Sequence, residues 1–207
     1  MKCTVAILTM SSKNGGYCVA GVDVKNGDWI RLVSDNVYTH GALSSDDIKY
    51  KSGGYCKPLD VVQVPIIRYT PLEYQPENVL IDRKEYWKKV DTVLLEDILE
   101  IHPPEYHTVL LGNQYSYITE AGIGKVGHSL ILVKVEDLII LHPNERSTKA
   151  TFTYNDTQYN DISVTDPDYY YVQNQWHTDN AILVMSLPES PYNGNYYSKF
   201  VAKIFPI

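Results

Sequence analysis

The chain has 207 residues, of which 44% are hydrophobic and 21% charged, and its 18 Lys and Arg against 25 Asp and Glu give a net charge of −7. That length admits one large domain or two small ones and supplies enough apolar material for a core, while the acidic balance excludes a protein that coats nucleic acid by bulk electrostatics. No stretch approaches the roughly 20 apolar residues of a membrane helix; the longest apolar run, Leu130–Leu141, is broken by Lys134, Glu136 and Asp137.

The opening residues, MKCTVAILTMSSK, carry a Lys before a short apolar stretch, but no A-x-A-like site follows, so they read as a first strand of a cytoplasmic protein rather than as a leader. Strand signals then follow in short runs: Cys3–Met10, Tyr17–Val24 and Trp29–Ser34, with a turn at Ser11–Gly16 and an Asn26-Gly27 pair suited to a two-residue hairpin. Residues 35–57 form an excursion with a short helix expected near Ser45–Tyr50. Leu59–Thr70 is β-rich and contains Pro65, which implies a strand edge or a bulge. TVLLEDILE at 92–100 has the apolar spacing of a short amphipathic helix, ended by His102-Pro103-Pro104. Strands are expected again at Ser129–Leu141, Lys149–Tyr154, Gln158–Val164, Ala181–Leu187 and Tyr196–Phe205. Between them Thr165-Asp166-Pro167 reads as a capped helix start. The fold class is mainly β with a few short helices. Two groups of about five strands suit two small barrels, with residues 1–115 and 116–207 as the expected domains and no close internal sequence repeat.

Chemistry-bearing motifs are sparse. Gly122-Ile123-Gly124-Lys125-Val126-Gly127 spells G-x-G-x-x-G but is followed by the strand-like HSLILVKV, the wrong context for a dinucleotide site. The six histidines show no metal-ligand spacing, the three cysteines suggest neither a disulfide framework nor a zinc site, and Cys18 reads as a small core residue. No catalytic signature is present and no cofactor or metal is expected. Asp166 is a polar or capping candidate. The 18 tyrosines, including YSY at 115–117 and YYY at 169–171, can stack on bases or sugars, but their scatter points more to composition than to a platform.

The basic residues are concentrated at the start. Residues 1–34 hold Lys2, Lys13, Lys25 and Arg31 against Asp23 and Asp28. In a three-stranded meander, Lys13 and Arg31 come to one end of the sheet beside a Gly-Gly turn whose N–H groups can cradle an anion. Arg31 forks equally well onto a phosphate or onto a neighbouring carboxylate such as Asp28 or Asp35.

The same residues carry a family resemblance. S-x-K-x-G-G-x-C-x-A-G at 11–21 and G-x-W-I-R-x-V-S at 27–34 resemble the opening of the bacterial dual OB-containing domain family. Leu59–Val62, His128–Leu130, Phe152–Asn155, Val164–Pro167 and Ser186–Glu189 continue the match, with Leu32 where a proline is expected. The resemblance implies two tandem OB-like barrels that bind nucleic acid or a nucleotide rather than catalyse, with a possible link to bacterial defence systems. It brings no assigned binding residues. The expected contact set is Lys13, Arg31, Arg68, Tyr17 and Trp29, for single-stranded nucleic acid or a nucleotide. The alternative is a protein-interaction adaptor, and a hydrolase built on Asp166 and a histidine ranks third.

Overall fold

The computed structural model describes residues 1–13, 15–144, 147–172, 175–192 and 194–207. They form two compact units, one from residues 1–72 with 76–103 and the other from 73–75 with 104–207. Residues 104–115 thus pack with the second unit. No helix among the described residues is long and apolar enough to cross a membrane.

In the first unit, β1 (Lys2–Lys13), β2 (Gly16–Asp23) and β3 (Trp29–Val33) form the expected antiparallel meander. Asn14, in the expected turn, lies outside the described residues. β4 (Asp60–Tyr69) returns to pair antiparallel with β1, and β5 (Asn78–Ile81) joins β3 in parallel and β4 antiparallel. Following the pairings from β1 through β2, β3, β5 and β4 leads back to β1, so the five strands close on themselves. β6 (Lys88–Thr92) adds to the first half of β4. The bulge implied by Pro65 lies just beyond it, between Ile66 and Arg68. Strand alternation sends Val5, Ile7, Val19, Ile30, Leu32, Val62 and Val64 into one core with Trp87. Gly21 is required by proximity, because a Cβ there would collide with the Ala6 carbonyl on β1.

Three local expectations change. The β2–β3 connection is longer than a two-residue hairpin: Asp23 N–H donates to Asp28 O at 2.9 Å, Asp23 Oδ1 accepts from Lys25 N–H at 2.8 Å, and only Gly27 is left-handed, at φ +75°. The Asp23 side chain turns the chain early, as an Asx turn does. Ser45–Ile48 is a turn rather than a helix, tied by Asp47 Oδ2 accepting from Ser44 N–H at 2.8 Å, and Lys49 and Tyr50 enter isolated bridges. The helix expected at 92–100 is α1 (Leu95–Ile101), which starts later because Asp97 accepts from Leu94 N–H at 2.8 Å and fixes the first turn there.

The second unit opens with β7 (Tyr117–Thr119) and the single turn α2 (Glu120–Ile123). Its barrel is β8 (Leu130–Asn144), β9 (Ser147–Tyr154), β10 (Thr157–Val164), β11 (Gln175–Ser186) and β13 (Phe200–Pro206), with β12 (Tyr196–Ser198) paired to β7 outside it. The barrel closes in the order β8-β9-β10-β13-β11, with β10 and β13 parallel. This is the connectivity of the first unit strand for strand, and it is the five-stranded closure of an OB barrel. The repeat absent from the sequence is present in the topology. A two-residue hairpin does occur here, at Asn155-Asp156, both with positive φ. Pro167–Tyr169 is a 3-10 turn capped by Asp166. The G-x-G-x-x-G segment begins in α2 and ends before β8, the reverse of the order a dinucleotide site needs.

Candidate nucleic-acid interface

On β3 of the first unit, Ile30 and Leu32 face the core, so Trp29, Arg31 and Val33 point outward. Arg31 is nevertheless only 4% exposed. Its Nε lies 3.5 Å from Glu77 Oε1, its Nη1 donates to Cys18 Sγ at 3.0 Å, and its backbone N–H donates to Glu77 O at 2.9 Å. The carboxylate partner is Glu77, not Asp28 or Asp35, because the parallel β3–β5 pairing begins with Arg31 opposite Asn78. Cys18 is half-buried beside that guanidinium rather than in the core. Arg31 is therefore a buried ion-pair residue, not a phosphate fork.

Lys13 stands at the end of β1 and donates to His40 O at 2.6 Å. Arg31 pairs with Ala20, and Ala20 with Thr9, which puts Lys13 four residues, or about 13 Å, further along the strand at ~3.3 Å per residue. The two cations do not form one anion site. Arg68 is exposed on β4 between Ile67 and Tyr69. Tyr17 packs against the core and exchanges backbone hydrogen bonds with Leu43. Trp29 meets His102 edge-on at 5.0 Å. Ala6, Leu8, Ala20 and Val22, which alternate with core residues of β1 and β2, are all buried, as are Thr9 and Arg31 paired to Ala20, so this face is closed to solvent.

The outer face of β9 and β10 in the second unit is polar. Ala150, Phe152 and Tyr154 of β9 and Tyr159 and Ile162 of β10 fill the core, leaving Lys149, Thr151, Thr153, Gln158 and Ser163 on the outside. Lys149 Nζ donates to Ser163 Oγ at 2.9 Å. A groove of about 360 Å³ at the Asn155-Asp156 end is lined by Tyr106, Tyr154, Lys134 and Thr153 together with Glu105, Glu136 and Asp156. Its carboxylates disfavour a phosphate there.

In the same unit, β7 with the residues just before it and the β11–β13 connection together carry a ladder of tyrosines. Pairing of β7 with β12 buries Ile118 and Tyr197 on one side and turns Tyr117 and Tyr196 to the other. Ring centroids are 6.1 Å apart for Tyr115–Tyr117, 5.3 Å for Tyr117–Tyr196 and 5.7 Å for Tyr192–Tyr196. Tyr115, Tyr117 and Tyr192 are 67%, 41% and 62% exposed. Phe200 pairs with Ser163, and Ser163 with Lys149, so this connection re-enters the barrel alongside β10. Four rings scattered over the sequence become one surface.

Lys199 holds that surface from below. It is fully buried, and its Nζ donates to Leu110 O at 2.6 Å, Asn113 O at 2.6 Å and Asn113 Oδ1 at 2.8 Å. Asn113 in turn donates to Tyr117 O at 3.0 Å and accepts from Tyr115 N–H at 3.0 Å. Burial pushes the Lys199 ammonium down to about 7.

Asp166 is also fully buried. It accepts from Ile204 N–H at 3.0 Å and Asp168 N–H at 3.2 Å and pairs with Lys203 at 3.2 Å. Burial raises its pKa against the opposing pull of Lys203 and these donors. With its lone pairs directed into the fold, it serves as a cap. Metal-ligating groups do converge elsewhere: Glu105, His107 and His128 place one ligand atom each within 4.8 Å of one another. Nothing in the histidine spacing announced this, since Glu105 and His107 meet across Tyr106 and His128 arrives from another loop.

No curated protein matches the chain. Among solved structures, the chain is similar at 6% identity to a murine DNA-binding protein bound with double-stranded DNA, with 100% of each chain covered and a TM-score of 0.36, a likeness too slight to carry an argument. The dual OB-containing domain model matches residues 3–204, and with two barrels of the same OB connectivity the chain belongs to the dual OB-containing domain family.

Proposed function

We propose that the protein is a non-enzymatic binding module for single-stranded nucleic acid, and that the second unit makes the contact. The tyrosine ladder carries this reading. Four clustered rings offer successive faces for unstacked bases, and base–aromatic stacking contributes about 1–3 kcal/mol per base without demanding a particular sequence. The same unit presents the outer face of β9 and β10, the strands in the position that binds oligonucleotides in OB barrels, where Lys149 supplies a cation. The net charge of −7 and the few basic groups nearby make stacking, rather than phosphate neutralisation, the main source of affinity. Binding is accordingly selective for single strands and shallow in its salt dependence.

The test is fluorescence anisotropy with labelled single-stranded DNA, single-stranded RNA and duplex at low and moderate salt. Single strands bind more tightly than duplex, and Lys149→Ala lowers the salt slope by about 0.7. Absence of binding at low salt overturns the reading and favours the protein-adaptor alternative.

A further inference from the structure

Glu105 and His107 flank Tyr106 at the start of the second unit's main segment, and their side chains meet. Glu105 Oε2 and His107 Nε2 are 3.0 Å apart, and the rings of His107 and His128 stack at 5.5 Å with an interplanar angle of 27°. All three residues are partly buried yet reachable from solvent. A tetrahedral ion with bonds of about 2.05 Å needs its ligand atoms about 3.3 Å apart. The Glu105–His107 pair already has that spacing, and the 4.8 Å limit on the whole set leaves only a side-chain adjustment to close the third position.

The backbone beneath the three ligands is fixed. Glu105 N–H donates to Leu132 O at 2.6 Å, His107 N–H donates to Tyr154 Oη at 2.6 Å, and Tyr154 Oη donates to Glu105 O at 3.2 Å. His128 precedes the fully buried Ser129, whose carbonyl accepts from Leu187 N–H at 2.9 Å. Both ligand-bearing segments are thus anchored to the barrel, which keeps the ordering cost of closing a metal site small.

We propose that Glu105, His107 and His128 form a binding site for a borderline divalent transition ion of the Zn²⁺ type. Two imidazoles and one carboxylate favour such an ion over Mg²⁺ or Ca²⁺, which take oxygen ligands. Three protein ligands leave a coordination position for water or a ligand oxygen. Bound metal clamps the 105–107 segment to the 128 loop and so fixes Tyr106 at the mouth of the groove. The site stands independently of nucleic-acid binding.

The experiment titrates chelator-stripped protein with Zn²⁺ and Mg²⁺ by calorimetry and with Co²⁺ by visible absorption. Wild type takes up one equivalent of Zn²⁺ and gives a Co²⁺ d–d spectrum, Mg²⁺ binds at least ~100-fold more weakly, and His107→Ala and His128→Ala each weaken Zn²⁺ by at least ~100-fold. His40→Ala and His177→Ala leave it unchanged. His128→Asn, with far-UV circular dichroism matching wild type, separates ligand loss from misfolding. Failure of wild type to bind Zn²⁺ stoichiometrically, equal affinity for Mg²⁺, or binding kept within ~3-fold in folded His128→Asn overturns the proposal.

Discussion

Replacing Lys199 by Met tests how the ladder is held. Methionine keeps most of the buried stem, so no large cavity opens, but Leu110 O, Asn113 O and Asn113 Oδ1 lose the donor that they share. An orphaned buried acceptor costs about 1–3 kcal/mol, and removing a buried ammonium returns part of that because its desolvation is relieved. The net expectation is a loss of about 3 kcal/mol, read as a fall in the urea midpoint and a Tm lower by about 12–24 °C for a unit of this size. Near-UV circular dichroism loses intensity as the 113–117 segment loosens. A second signature comes from pH. With the Lys199 ammonium pushed down to about 7, the unfolded chain binds more protons than the native one between that pH and the ordinary lysine range of about 10.4. Wild-type stability therefore rises relative to the variant across this window, and the difference is constant below it. A Lys199→Met protein within 1 kcal/mol of wild type, with its tyrosine signal intact, refutes the cradle.

Two more expectations follow from buried charge in the first unit. Glu77→Ala removes the carboxylate beside the Arg31 guanidinium and destabilises by about 2–3 kcal/mol in urea titration, whereas Arg68→Ala, on an exposed side chain, stays within about 0.5 kcal/mol. Asp60 is buried, and burial alone would raise its pKa, but hydrogen bonds from Lys89, Tyr50 and Lys57 N–H hold the carboxyl below its ordinary value. Its contribution is therefore complete above about pH 4 and fades as pH falls through the depressed value. Asp60→Asn flattens that part of the acid unfolding curve, and an unchanged curve contradicts the assignment.

Elements whose instructions are local were legible in the sequence. The β1–β3 meander follows alternating β-branched residues, and Asp166-Pro167 caps a turn because both residues favour that geometry wherever they occur. The exposed β6, KKVDT, carries no apolar alternation and takes its strand form from β4, so no periodicity marks it. Arg31 has the same limit in another form: its partner lies 46 residues away and meets it through a parallel pairing that no local pattern encodes. Tyr115, Tyr117, Tyr192 and Tyr196 read as scattered composition until β7 meets β12.

The most direct test of the central claim is the affinity of a single-stranded oligonucleotide for wild type and for folded Tyr117→Ala and Tyr196→Ala, measured by anisotropy at low salt. Loss of one stacking face is worth about 1–2 kcal/mol, so each variant binds roughly 5- to 30-fold more weakly. Unchanged affinity in both variants would contradict the ladder as the binding surface.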